Sequence, residues 1–166
     1  MWANADSLML LWFAATSVLT IHFVFGDPRF DHRWLIVGAV APVLADVVGG
    51  WTSMVSSVSA GVVVLVAVML ATIGRREVRR RVLGLPIGML LHIVFGASWN
   101  TTDVFWWPFA GVDLSESPAL AAQRWPVGAL LEVLGLLGCV WIVRRNSLTN
   151  AARRRAFFAD GRLEFR

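Results

Sequence analysis

Five stretches of the chain, residues 8–26, 34–50, 54–74, 82–99 and 125–143, are dominated by Val, Leu, Ile, Ala, Phe and Gly, and the charged positions collect between them. Each approaches the roughly 20 residues that a helix needs to cross a hydrocarbon layer of about 30 Å. The pattern predicts an all-α fold, a polytopic bundle of five transmembrane helices. The second stretch is the least regular, being short and carrying Pro42 and Asp46. Residues 1–5 lack the positively charged start of a secretory signal, so the first stretch is expected to stay in the protein. Residues 1–145 are expected to form the bundle and residues 146–166 a basic tail.

Charge placement sets the expected orientation, because short loops rich in Arg stay on the cytoplasmic side. Lysine is absent and arginine supplies all 15 basic side chains. With the amino terminus outside, Arg29 and Arg33 fall in the first inner loop and Arg75, Arg76, Arg79, Arg80 and Arg81 in the second. The inner tail takes the rest except Arg124, while Asp6, Asp103, Asp113 and Glu116 lie outside. A composition of 57% apolar and 16% charged residues, with mean hydropathy +0.66, is too apolar for a water-soluble globule of this size. The net charge of +4 therefore reads as topology and not as affinity for nucleic acid. Cys139 is the one cysteine, so no intramolecular disulfide can form.

Two segments outside the apolar stretches carry aromatic side chains. The outer segment, residues 100–124, holds Phe105, Trp106, Trp107, Pro108 and Phe109, a group suited to the headgroup layer. Ser117 before Pro118 predicts a short surface helix over 118–124. In the tail a helix is expected over 147–159, with Arg153, Arg154 and Arg155 beside Phe157 and Phe158. Such juxtamembrane Arg clusters attract anionic lipid. Trp106, Trp107, Phe109, Arg153, Arg154 and Arg155 are accordingly the expected contacts for lipid or a partner.

Four ionisable side chains fall at membrane depth, where an unpaired charge is costly: His22, Asp46, His92 and Glu132. Gly84, Gly88, His92 and Gly96 recur every fourth residue, so one helix face carries them all. Small residues at that spacing admit a neighbouring helix, which turns His92 toward protein and away from lipid. Gly38, Pro42, Asp46 and Gly49 share a face in the same way, as do Gly128, Glu132, Gly135 and Cys139. The four ionisable groups are expected to meet in one buried polar cluster. It could be a hydrogen-bonded or ion-paired set that fixes helix register. Alternatively, Asp46, His92 and Glu132, with His22 in reserve, supply the three His or carboxylate ligands that a catalytic zinc takes. No local spacing selects between these readings. Walker loops, dinucleotide fingerprints, Cys-x-x-Cys pairs and nucleophile elbows are absent.

Residues 83–111, LGLPIGMLLHIVFGASWNTTDVFWWPFAG, and residues 38–46, GAVAPVLAD, resemble the bacterial membrane-bound metal-dependent hydrolases, especially small actinobacterial members. That family pairs a Gly-x-x-x-Pro-Asp-x-x-Asp element with a His-x-x-x-Asp step that precedes a Trp-Pro-Phe segment. His92 and Asp46 stand at matching positions, but Val43 and Gly96 replace two of the family's Asp residues. A His beside Ser or Thr, expected soon after the Pro-Asp element, is missing from residues 52–57. The resemblance implies a multi-pass protein of the bacterial plasma membrane. Its departures imply a non-catalytic accessory or lipid-interacting member whose hydrolytic site has been lost. A metal-dependent hydrolase of a lipid-linked or phosphorylated substrate and a small proton-coupled transporter are the alternatives. No cofactor is expected on the first reading, a divalent metal such as zinc on the second. The expected partners are membrane lipids, with a membrane protein or a second copy of the chain as further candidates, and no nucleic acid.

Overall fold

The computed structural model describes residues 9–27, 30–49, 52–110, 126–163 and 165, with backbone alone at 46–49, 52 and 53. Among these residues the chain is all-helical. α1 (Leu10–Thr20) continues into a π-helical turn, Ile21–Phe25, and ends at Gly26, whose φ of 58° is left-handed. α2 spans His32–Gly49 and runs through Pro42. α3 (Thr52–Val55) and α4 (Val58–Ala71) are separate because the Ser57 hydroxyl accepts from Ala60 N and starts a new helix. α5 (Arg76–Val82) leads into α6 (Gly84–Phe95), which is followed by a 3-10 turn at Ser98–Asn100 and α7 (Thr102–Phe105). α8 covers Val127–Arg145 and α9 covers Ala151–Asp160.

The expected all-α class holds among the described residues, and the five expected spans are matched only in part. α8, with 19 residues and about 28 Å of rise, is long and apolar enough to cross a membrane by itself. The apolar helices Leu10–Phe25, His32–Ala45 and Val58–Ala71 are shorter. Ser57 cuts the third stretch, and the fourth yields a helix of only 12 residues before Ala97 turns left-handed at φ 55°. The tail helix starts later than expected, since Ser147 has φ 53° and the Asn150 side chain caps Ala152 N at 2.9 Å. The helix expected over 118–124 lies outside the described residues, as do Arg29, Asp6, Asp113, Glu116 and Arg124.

Two glycine seams organise the packing. In the first, α6 lies on α2 so closely that a Cβ at Gly38 would overlap the Leu85 carbonyl and one at Gly88 the Leu35 carbonyl. Gly84 faces Asp31 and Leu35 while His92 faces Ala39, so the two helices run parallel. In the second, α8 lies on α1: a Cβ at Gly135 would meet the backbone of Leu11 and Trp12, and Gly138 faces Ala15. These two helices are also parallel. α1 and α2 are antiparallel, since Ile21 packs with Leu35 at one end and Phe13 with Ala39 at the other. α4 begins beside Trp107, past the end of α6, through the bond from Ser59 Oγ to the Trp107 carbonyl. The five longest helices thus alternate in direction along the chain.

Candidate functional site

His92 is completely buried at the α2–α6 seam. Gly84 and Gly88 let the backbones approach, which brings the Ala39 carbonyl within 3.0 Å of His92 Nδ1. A carbonyl can only accept, so Nδ1 carries the proton and Nε2 is left to accept from the Ser56 hydroxyl at 3.4 Å. The ring also packs on Phe13, with centroids 4.0 Å apart. Both nitrogens of this neutral imidazole are occupied by protein. His92→Ala should therefore cost about 2–4 kcal/mol of stability, by opening a cavity and stranding the Ser56 hydroxyl. Thermal unfolding in detergent micelles checks this, and an unchanged midpoint would mean that the ring does not hold the seam.

Glu132 sits at the other seam. Its two oxygens accept from Leu11 N and Trp12 N, each at 3.1 Å. Those amides belong to the first turn of α1, whose own preceding residue, Met9, offers no side-chain cap. The carboxylate on α8 acts as the N-cap of a different helix, satisfying orphan donors and facing the positive end of its dipole. His22 lies elsewhere again, in the π-helical turn, stacked on Phe165 with centroids 3.7 Å apart. The expected common cluster is thus divided: His92, Glu132 and His22 each have their own partners. The Asp46 side chain is outside the described residues. No group of three His, Cys, Asp or Glu among the described residues could hold a metal ion.

The structure instead gathers ionisable groups at the end of the bundle where α2 begins and α9 finishes. Arg33 makes a forked pair with Asp31, Nε to Oδ1 at 3.0 Å and Nη2 to Oδ2 at 2.7 Å. Its remaining nitrogen, Nη1, donates to the Phe158 and Ala159 carbonyls in the last turn of α9, at 2.7 and 3.1 Å. These are carbonyls that a helix end leaves without partners, and a cation there also opposes the dipole. Gly161, left-handed at φ 72°, closes α9, and its carbonyl accepts from His32 N at 2.9 Å and His32 Nδ1 at 3.3 Å. Leu163 is buried against Ala15, Val18, Ile21, Leu35 and Ile142, and Phe165 stacks on His22 and Trp141. The basic tail is thus docked on the bundle through its C-terminal part, while Arg154 and Arg155 on α9 stay exposed.

Electrostatics at this end follow from burial and pairing. Burial pushes the Asp31 carboxyl up, but hydrogen bonds and charge from Arg33, with Arg81 nearby, outweigh it and hold the group below 3.8. The Arg33 guanidinium is raised in return by Asp31. Burial lowers His32 from 6.5, against the carbonyls of Gly161 and Phe30 and the charge of Asp31, with His22 adding slightly to the lowering. A small cavity of about 100 Å³ beside Asp31 is lined by Glu77, Arg80, Arg81, Asp160 and Arg162, which places α5 at the same end. Arg154 and Arg155 on α9 are exposed and Arg153 is half-exposed. At the opposite end Trp106 and Phe109 are exposed, while Trp107 is half-buried.

Sequence reasoning missed Asp31, His32 and Arg33 as a docking group. The available signal was a charged triplet at the start of an apolar stretch, together with an Asp-Gly helix stop at 160–161. Compared with known protein families, curated proteins and solved structures, the chain has no significant match in any of the three.

Proposed function

We propose that the protein is a five-span integral membrane protein of the bacterial plasma membrane, amino terminus outside and carboxyl terminus inside. It acts without catalysis, as an accessory or lipid-interacting relative of the metal-dependent hydrolases, by holding anionic lipid headgroups at its arginine-rich inner end. One observation carries this reading: an exposed apolar surface lies between an end rich in Arg and an end bearing Trp106 and Phe109. That surface includes Val63, Leu70 and Ile73 on and after α4, and Leu130, Leu134 and Leu137 on α8. Only 17% of the apolar stretch of α8 is buried, whereas the core helix of a water-soluble protein is mostly covered. The alternating helix directions support an odd number of crossings, and Arg33, Arg80, Arg81 and Arg162 at one end fit the charge rule for the inner side.

His92 and Glu132 have structural partners, which supports the non-catalytic reading over hydrolysis or proton transfer. Sidedness is tested by cysteine labelling of intact cells in a Cys139→Ser background. Thr102→Cys should react with an impermeant maleimide directly, and Ala152→Cys only after permeabilisation. The reverse pattern, or recovery of the protein outside the membrane fraction, overturns the reading. Replacing Arg75, Arg76 and Arg79 by Gln should lower the anionic lipid that co-purifies with the protein several-fold, as read by lipid mass spectrometry. An unchanged lipid complement would remove the headgroup role.

A further inference from the structure

Three consecutive residues tie the tail end to the bundle by hydrogen bonds, beside the apolar contacts of Leu163 and Phe165. Arg33 holds the last turn of α9, His32 holds the Gly161 carbonyl, and Asp31 aligns Arg33. Beyond Gly161, Leu163 plugs a slot between the π-helical turn, α2 and α8, and Phe165 covers His22. π-helical turns often mark functional positions. His32 is only 2% exposed, and the Gly161 carbonyl is among the groups that cover it. We propose that the segment carrying Gly161, Leu163 and Phe165 is an acid-released latch: near neutral pH the neutral His32 side chain keeps it closed over the inner end of the bundle, and protonation of His32 releases it.

The neighbouring charges decide the sign. From its own element His32 faces Asp31, with Arg33 beside it; from the π-helical turn it faces His22. α5 contributes Arg81 and Arg80 with Glu77, and the tail contributes Asp160 and Arg162. The Gly161 and Phe30 carbonyls and Asp31 favour an imidazolium, but Asp31 is already bonded to Arg33, and burial works against the charge and outweighs all three. The closed form therefore binds fewer protons at His32 than the open form. Closure is fully favoured above about pH 6.5 and weakens as pH falls below it. Asp31 stays ionised through this range, because its partners hold it below 3.8. Asp31 therefore does not take part between pH 7.5 and 5.5, and a His32 variant separates the part of His32 from that of His22, the other histidine against the latch. Opening would uncover Ile21, Leu35 and Ile142 and free α9 with Arg154 and Arg155. That the uncovered slot faces the cytoplasmic leaflet rests on the membrane reading; the latch itself does not.

Hydrogen exchange of the full chain in detergent micelles tests the latch, with rates normalised to intrinsic exchange at each pH. Peptides covering 151–163 should open more at pH 5.5 than at 7.5, by up to about tenfold, the limit for one proton, while those in 84–95 keep their protection. His32→Gln keeps an amide donor but cannot titrate, so its tail should exchange alike at both pH values. Gly161→Ala places a Cβ onto the Asp31 carboxylate at a left-handed position, so its tail should be open at both. Tail protection equal at the two pH values in the native chain overturns the proposal. So does the same loss retained in His32→Gln, or loss over 84–95 in parallel with the tail. Should His32→Gln fail to fold, a full pH series on the native chain decides: opening must set in below about 6.5 with the slope of one proton. Micelle exchange needs no sidedness, so failure of the topology would appear in the labelling experiment and leave this result standing.

Discussion

Gly88→Ala should lower the unfolding midpoint in detergent by about 5–10 °C. The new Cβ would overlap the Leu35 carbonyl and press on Ala39 N and the Gly38 carbonyl carbon, all of them backbone atoms that cannot turn aside. α2 and α6 would have to separate, at a cost of about 3 kcal/mol. Separation also carries His92 Nδ1 away from the Ala39 carbonyl, so a buried donor loses its acceptor. Gly61→Ala is the control: its Cβ would meet side chains alone, the flexible tip of Leu90 at 2.9 Å and Ile93 at 3.8 Å, and should cost far less. Equal midpoints for the two variants would mean that the α2–α6 seam is not as tight as described.

Glu132→Ala should cost about 2–3 kcal/mol. Two first-turn amides of α1 lose their only side-chain acceptor, and hydrogen bonds to a charged group are stronger than average. Glu132→Gln should fall between, because one amide oxygen replaces two anionic ones. Glu132→Leu should not rescue, which separates capping from packing. Gly135→Ala on the same seam pushes α8 off the backbone of Leu11 and Trp12, so it should already break the cap. The double variant Glu132→Ala with Gly135→Ala should then cost less than the sum of the two. Midpoints of the four proteins in one micelle preparation give the coupling. Strict additivity would sink the capping role.

The seams themselves were readable before any coordinates. Gly84, Gly88 and His92 fall on one helix face by period alone, and the structure places that face on α2. The face bearing Gly128, Glu132 and Gly135 is likewise turned to protein, with Gly128 and Gly135 buried. The helix breaks were harder to read. Ser57 lies in an apolar stretch where composition favours continuity, yet its hydroxyl competes for Ala60 N and ends one helix to begin another. Ser147, at a positive φ, delayed α9 in a way that no propensity indicated.

The sequence by itself determined the all-helical class, the apolar stretches, the collection of Arg at one end and the glycine faces. All of these are local properties, set by composition and by the 3.6-residue period. Which seam each polar group joined was decided only by tertiary structure. His92 and Glu132 share a type of surrounding but not a location, because α6 packs on α2 while α8 packs on α1. The docked tail is the clearest case. The bonds from Arg33 to Phe158 and Ala159 and from His32 to Gly161 span more than 120 positions and end on backbone carbonyls. Every residue has such a carbonyl, so nothing in a side-chain pattern can mark which one a distant guanidinium will find.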